Sequence, residues 1–280
     1  MAIQWHPLFA ELLRQQLEEH YDVQINVAVG DVPREADLVL LRRTSTSGTP
    51  FHGVWRYLKT WNILEYKGPS VSARIDHVDL LIELGLGIQR RLNAERAKAR
   101  QAKMADADVC FWYVANRLGR RFRREVEAKL GPLQERGQGV WQSRALDRDV
   151  FLVSGADVPV ELDNVPLHIL RQESLEKQLA VGKLVVQDQS LLERYAPYLE
   201  TFHPEVLKEL QVMARTAGHP FKLNMPAIIE VFGLEEVVKQ VGMDRVIEQV
   251  RKQKGLAKLV RQLSPAERIE LKRHLERDNP

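Results

Sequence analysis

The sequence predicts an α/β core followed by an all-helical region, and three observations carry that expectation. Short alternating or apolar runs at 22–29, 37–41, 61–67, 109–115, 139–145 and 150–155 have the length and the β-branched or aromatic content of strands. Helical periods occupy 7–20, about 73–103 and 120–131, interleaved with those runs. Beyond about residue 172 the strand signals stop and helical patterns continue to the end. The expected division is therefore a mixed part, 1–171, and a helical part, 172–280.

The elements follow in order. Leu8, Leu12, Leu13 and Leu17 recur at helical spacing behind Pro7, which suits a first turn. Val23, Ile25, Val27 and Val29 alternate, as in a half-buried strand. DLVLL (37–41), WNILEYK (61–67) and VCFWYVA (109–115) are near-continuous apolar runs, as in strands covered on both faces. Gly68-Pro69 stops the second of these and Gly131 stops the helix at 120–131. The segment LHIL (167–170) reads as one more strand. In the helical part, Ser190…Glu193 and Ser264…Glu267 have the spacing of capping boxes. GLEEVVKQV (233–241), GMDRVIEQV (242–250) and GLAKLVRQL (255–263) form a glycine-punctuated repeat of units too short to be stable singly.

Composition sets bounds. The chain has 280 residues, 44% hydrophobic and 28% charged, with a net charge of +3, so it can bury a core and its charge must be judged by location. Cys110 is the single cysteine and lies in an apolar run. It excludes an internal disulfide and a cysteine-based zinc site and reads as a core thiol. No signal peptide is evident. The longest apolar tract, 78–88, is interrupted by Asp79 and Glu83 and is too short for a membrane span, so a cytoplasmic protein is expected. The eight histidines show no zinc-ligand spacing, and no phosphate-binding glycine loop, nucleophile elbow or dinucleotide fingerprint is present.

The strand WNILEYK poses the chemical question. Alternation puts Glu65 and Lys67 on one face with Trp61 and Ile63, and Asn62, Leu64 and Tyr66 on the other. A buried carboxylate and ammonium cost several kcal/mol unless they pair or bind something. Asp37 opens the strand DLVLL; were the two strands neighbours, Asp37 and Glu65 would meet at one end of the sheet. Two close carboxylates suit a hard divalent cation, which activates water for phosphodiester hydrolysis, and an adjacent lysine stabilises the charge that develops. The triplet Glu-x-Lys alone says little. It recurs at Glu127-Ala-Lys129 and Glu270-Leu-Lys272, on expected helices where residues two apart do not share a face.

The order helix, strand, Asp37-led strand, Glu65-x-Lys67 strand, helix, strand resembles the PD-(D/E)xK nuclease superfamily. The block PREADLVLLRR…WNILEYKGP is most similar to bacterial members related to the recombination-promoting nuclease and transposase group. The resemblance covers about 1–115, and the ending LSPAERIELKRHLE is weakly similar to tails seen beside such domains. It implies a restriction-endonuclease-like mixed sheet flanked by helices, and a DNA endonuclease using Mg²⁺ or Mn²⁺. Asp37, Glu65 and the backbone carbonyl of Tyr66 would hold the metal, Lys67 would serve catalysis, and Glu11 on the first helix, with Glu18 as its rival, would complete the site. A polar residue on the helix after the motif often assists; Asp76, His77, Asp79 and Gln89 are the candidates. One departure is Pro33, four residues before Asp37 rather than next to it.

Charge placement adds a nucleic-acid expectation. Arg90 and Arg91 open a run with six basic residues against Glu95, and Arg117, Arg120, Arg121, Arg123 and Arg124 crowd within two turns. A solvated helix face accounts for the first run equally well. A homodimer follows if both strands are cut. The rival expectation is a catalytically silent nuclease-fold protein that binds nucleic acid or protein through its helical repeats.

Overall fold

A computed structural model describes residues 5–25, 27–28, 35–36, 38–44, 51–171, 174–203 and 206–218. The chain falls into two compact units, one spanning Ile3–Glu173 and the other containing Ser174–Pro280.

In the first unit the helices are α1 (Trp5–Leu17), α2 (Ile75–Lys98), α3 (Arg120–Leu130) and α4 (Val165–Ile169). The strands are β1 (Tyr21–Gln24), β2 (Val27–Ala28), β3 (Glu35–Ala36), β4 (Val39–Arg43), β5 (Trp61–Tyr66), β6 (Val109–Ala115), β7 (Gln134–Gly137), β8 (Val140–Ala145) and β9 (Arg148–Ser154). Seven of them form a mixed sheet in the order β1-β4-β5-β6-β9-β8-β7, while β2 and β3 pair separately. The centre is parallel, β5 beside β6 and β6 beside β9; the outer neighbours run antiparallel. The parallel step from β5 to β6 requires a crossover, which α2 supplies.

Strand phase sorts the core into two layers. Trp61 and Ile63 of β5, Phe111 and Tyr113 of β6 and Val150 and Leu152 of β9 pack with Val78, Leu81 and Ile88 of α2 and Phe122 and Val126 of α3. The opposite face is aromatic. Phe9 of α1 stacks on Tyr66 at 4.3 Å between ring centroids, and Trp112 stacks on Phe151 at 4.6 Å with Trp55 tilted against it. Asn62, fully buried in this layer, accepts from the Lys59 backbone N–H (2.9 Å) and Trp112 Nε1 (3.2 Å) and donates to the Lys59 carbonyl (2.7 Å), so its polarity is satisfied. Every position of β5 and β6 is buried, as their unbroken apolar sequences anticipate. Cys110 is a core thiol with no exposure, and burial pushes its pKa well up.

Several expectations need correction. The alternating run at 22–29 is two strands in different sheets. LHIL is the end of α4 and the residue beyond it, not a strand, because Pro166 sits in the first turn with φ already preset for helix. β7 has an exposed, polar edge-strand sequence without the apolar signal that marks central strands. In the second unit α5 (Leu175–Val185), α6 (Gln189–Phe202) and α7 (Leu207–Thr216) follow one another. The cap of α6 is Asp188, which accepts from the Ser190 and Leu191 N–H groups; Ser190 is already inside the helix. Gly182 of α5 gives room to Leu210 of α7. The repeat at 233–263 and Ser264…Glu267 lie outside the described residues. No helix among the described residues is long and apolar enough to cross a membrane.

Candidate functional site

β5 ends at the carboxyl edge of the parallel strands, where open α/β sheets place their ligands. The Lys67 N–H donates to the Val114 carbonyl at 2.8 Å, so the ladder with β6 continues one residue past the strand and keeps Lys67 in phase with Glu65. Glu65 is only 5% exposed, and its Oε1 accepts from Lys67 Nζ at 2.6 Å. The same oxygen lies 3.2 Å from His6 Nε2, in the first turn of α1. Gly68 explains that approach. A Cβ there would run into the Trp5 ring, so the absent side chain lets the first turn of α1 lie against the end of β5.

A second pair borders the first. His77 Nδ1, in the first turn of α2, is 3.1 Å from the Tyr113 hydroxyl of β6. Burial raises the Tyr113 pKa far above its ordinary 10.0, opposed by a backbone hydrogen bond from Arg74 and reinforced by the Glu65 and Asp76 carboxylates. Tyr113 therefore keeps its proton and can donate it to Nδ1. The His77 pKa lies below its ordinary 6.5, first through burial and then through the Lys67 charge, with Arg74 adding and Asp76 and Glu65 opposing. Burial and the Lys67 charge thus both favour the neutral imidazole of His77 beside the Glu65–Lys67 pair.

Of the other expected residues, Asp76 adjoins His77 and Tyr113, while Asp79 and Gln89 are engaged elsewhere. Asp37 lies outside the described residues. Antiparallel pairing of Val39 with Leu64 means that the chain enters β4 at the same end of the sheet where β5 leaves. Glu11 bonds along its own helix to Arg14 and to Gln15 Nε2 (3.1 Å), and Glu18 is exposed beyond the end of α1. Asp76 pairs with Arg74 at 2.7 Å, and Asp79 with Lys129 at 2.5 Å. Gln89 belongs to the opposite edge of the sheet. It is buried between Arg148 Nε (2.7 Å) and Asp106 Oδ1 (2.9 Å), where β6 and β9 begin. The Tyr66 side chain is fully buried against Phe9, and its own pKa is raised strongly by burial.

The arginines divide too. Arg91 pairs with Glu95 at 2.5 Å and Arg121 with Glu125 at 2.9 Å, and Arg123 lies over the Trp141 ring at 4.5 Å. Arg90, Arg117, Arg120 and Arg124 are exposed and make no ion pair among the described residues. Arg90 is about 21 Å along α2 from Asp76, at 1.5 Å per residue, so it is remote from the Glu65 end.

Sequence reasoning offered His77 as one of four candidates on its helix but missed His6 and Tyr113 as members of the cluster. Their proximity arises from three separate elements meeting at one strand end, and no spacing in the sequence signals it. Among the described residues no group of three His, Cys, Asp or Glu side chains converges to hold a metal ion. Glu65 brings one carboxylate, whose Oε2 has no hydrogen-bonding partner among the described residues. That oxygen suits one hard-cation ligand position, and Asp37 would have to supply another. No family model matches the chain, and no curated protein or solved structure does either.

Proposed function

We propose that the chain is a metal-dependent nuclease that hydrolyses phosphodiester bonds in DNA, on a restriction-endonuclease-like version of its mixed sheet. The observation that supports this reading is the buried Glu65–Lys67 pair at the carboxyl end of the first parallel strand. In this reading Asp37, Glu65 and the Tyr66 carbonyl hold Mg²⁺ or Mn²⁺. The bound cation supplies an acidified water and charge neutralisation at the scissile phosphate. Lys67 exchanges its contact with Glu65 for the phosphate and steadies the charge that grows on its oxygens. His6 holds Glu65 in orientation, and neutral His77 is a hydrogen-bonding group beside Lys67 rather than a competing cation. A homodimer would place two such sites for the two strands.

Plasmid nicking tests the reading. Wild type with Mg²⁺ or Mn²⁺ should nick. Lys67→Ala and Asp37→Ala should each lower the rate by about 10²-fold or more, the scale of losing one charge-stabilising group. Equal cutting by wild type and both variants, or no cutting by any of them, would overturn it.

A further inference from the structure

We propose that the groove beyond the ends of β5 and β6 is the track along which a nucleic acid's phosphodiester backbone reaches the Glu65–Lys67 pair, gripped by Arg117, Arg120 and Arg124. The proposal deepens the nuclease reading and rests on it for the direction of travel.

The groove has a volume of about 830 Å³. One wall is the loop that leaves Lys67, from Pro69 to Arg74, with Ile75 and Asp76 at the start of α2. The other is the loop after β6 with the first turns of α3, including Asn116, Arg117 and Arg121. Asn116 Nδ2 donates to the Pro69 carbonyl at 2.8 Å and ties the walls together. Two peptide units separate Lys67 from Pro69, so the groove opens next to the buried pair.

Charge decides what it takes. Within the lining, Arg74 is matched by Asp76 and Arg121 by Glu125. Arg123 is committed to the Trp141 ring. Arg117 is in the lining, and Arg120 and Arg124 lie outside it, further round α3; all three are exposed and unmatched among the described residues. Three guanidinium groups therefore remain after internal pairing. Their position opposes helix stability: α3 has no acidic residue in its first turn, where the helix field favours carboxylates over cations. No carboxylate among the described residues answers these three charges, whereas a run of phosphates would. Arg120 and Arg124 stand one turn apart, about 6 Å along the axis, which suits successive phosphates on one strand. The remote Arg90 and Arg91 lie about 21 Å or more further along α2 and take no part.

The test measures binding without cutting. The full chain is titrated in EDTA into labelled duplex DNA and, separately, RNA of the same length, across a salt series. Wild type should bind with strong salt dependence. The combined Arg117→Gln, Arg120→Gln and Arg124→Gln variant should bind about tenfold or more weakly, with the slope of log affinity against log salt flattened by about 3. Replacing the same three by lysine should largely preserve the slope, and circular dichroism should show both variants folded. Binding of DNA alone, RNA alone or both supports the groove and identifies the source of the phosphates. Unchanged affinity and slope in the glutamine variant, or no binding by wild type, overturns the proposal. Lys67→Ala separates the two readings: binding that needs the arginines, without any nicking by wild type, sinks the nuclease and leaves the groove. Nicking that needs Lys67, with binding indifferent to the arginines, does the reverse.

Discussion

Replacing Lys67 by methionine keeps the length of the side chain and removes its charge. Glu65 then remains as a carboxylate whose side chain is 7% exposed, with His6 as its remaining partner at 3.2 Å. Stranding one member of a fully buried ion pair costs roughly 3–5 kcal/mol; Lys67 is 19% exposed, so a loss of about 2 kcal/mol is expected. Glu65→Gln should cost less, about 1 kcal/mol, because the flexible lysine can turn its ammonium to water. The double variant has neither buried charge. It should lie within about 1 kcal/mol of wild type, giving a coupling of at least about 2 kcal/mol. Urea unfolding followed by tryptophan fluorescence is the assay. All five tryptophans, Trp5, Trp55, Trp61, Trp112 and Trp141, lie in Ile3–Glu173, so the signal reports that unit alone. A coupling below about 0.5 kcal/mol would mean a solvated surface pair and would refute the description of the site as a desolvated one. A double variant as unstable as Lys67→Met would show that the pair is retained for folding and not for chemistry.

Gly85→Ala puts a methyl group into the Phe111 ring where α2 crosses β6. The gain in helix propensity, about 1 kcal/mol, should be outweighed by the clash, with a melting temperature lower by roughly 3–6 °C; an unchanged or higher value would contradict the close approach. His77 titrates below its ordinary 6.5, so above pH 6.5 its contribution to stability is complete. As pH falls through that value the unfolded chain takes up a proton that the folded chain refuses, and stability declines. His77→Gln should flatten this acid limb in urea titrations, and an identical limb in the variant would disprove the assignment. Cys110 is expected to resist iodoacetamide at about pH 8 in the native chain, with labelling slower than in urea by roughly 10³-fold or more, the inverse of the unfolded fraction. Labelling at the unfolded rate would place the thiol at the surface.

The parts of this fold legible in the sequence were those whose signal is local. β5 and β6 announce themselves because two-sided burial demands unbroken apolar runs, and β6 begins and ends where its sequence run does. Glu65 and Lys67 stood out for the complementary reason: charge in such a run has to be explained. What stayed hidden was set by neighbours distant in the chain. His6 reaches Glu65 from 59 residues away, by way of a glycine that makes room for Trp5. Gln89, a polar residue on the right helix, is drawn instead into the Arg148–Asp106 network at the far edge. The arginines of α3 look alike in sequence, yet one lies over Trp141, one pairs with Glu125, and others reach solvent. Only the packing distinguishes them.

Tyr66 stands between Glu65 and Lys67 and is held from the opposite face by Phe9. Because side chains alternate, anchoring that ring also decides which way its two charged neighbours look. A slip of β5 by one residue would drive the carboxylate and the ammonium into the aromatic layer and leave the tyrosine among the residues facing α2. The stacked pair therefore acts as a proofreader of register: any lineage of this protein that lengthens or shortens the turn before Trp61 must do so without shifting where Tyr66 lands, or lose Glu65 and Lys67 together.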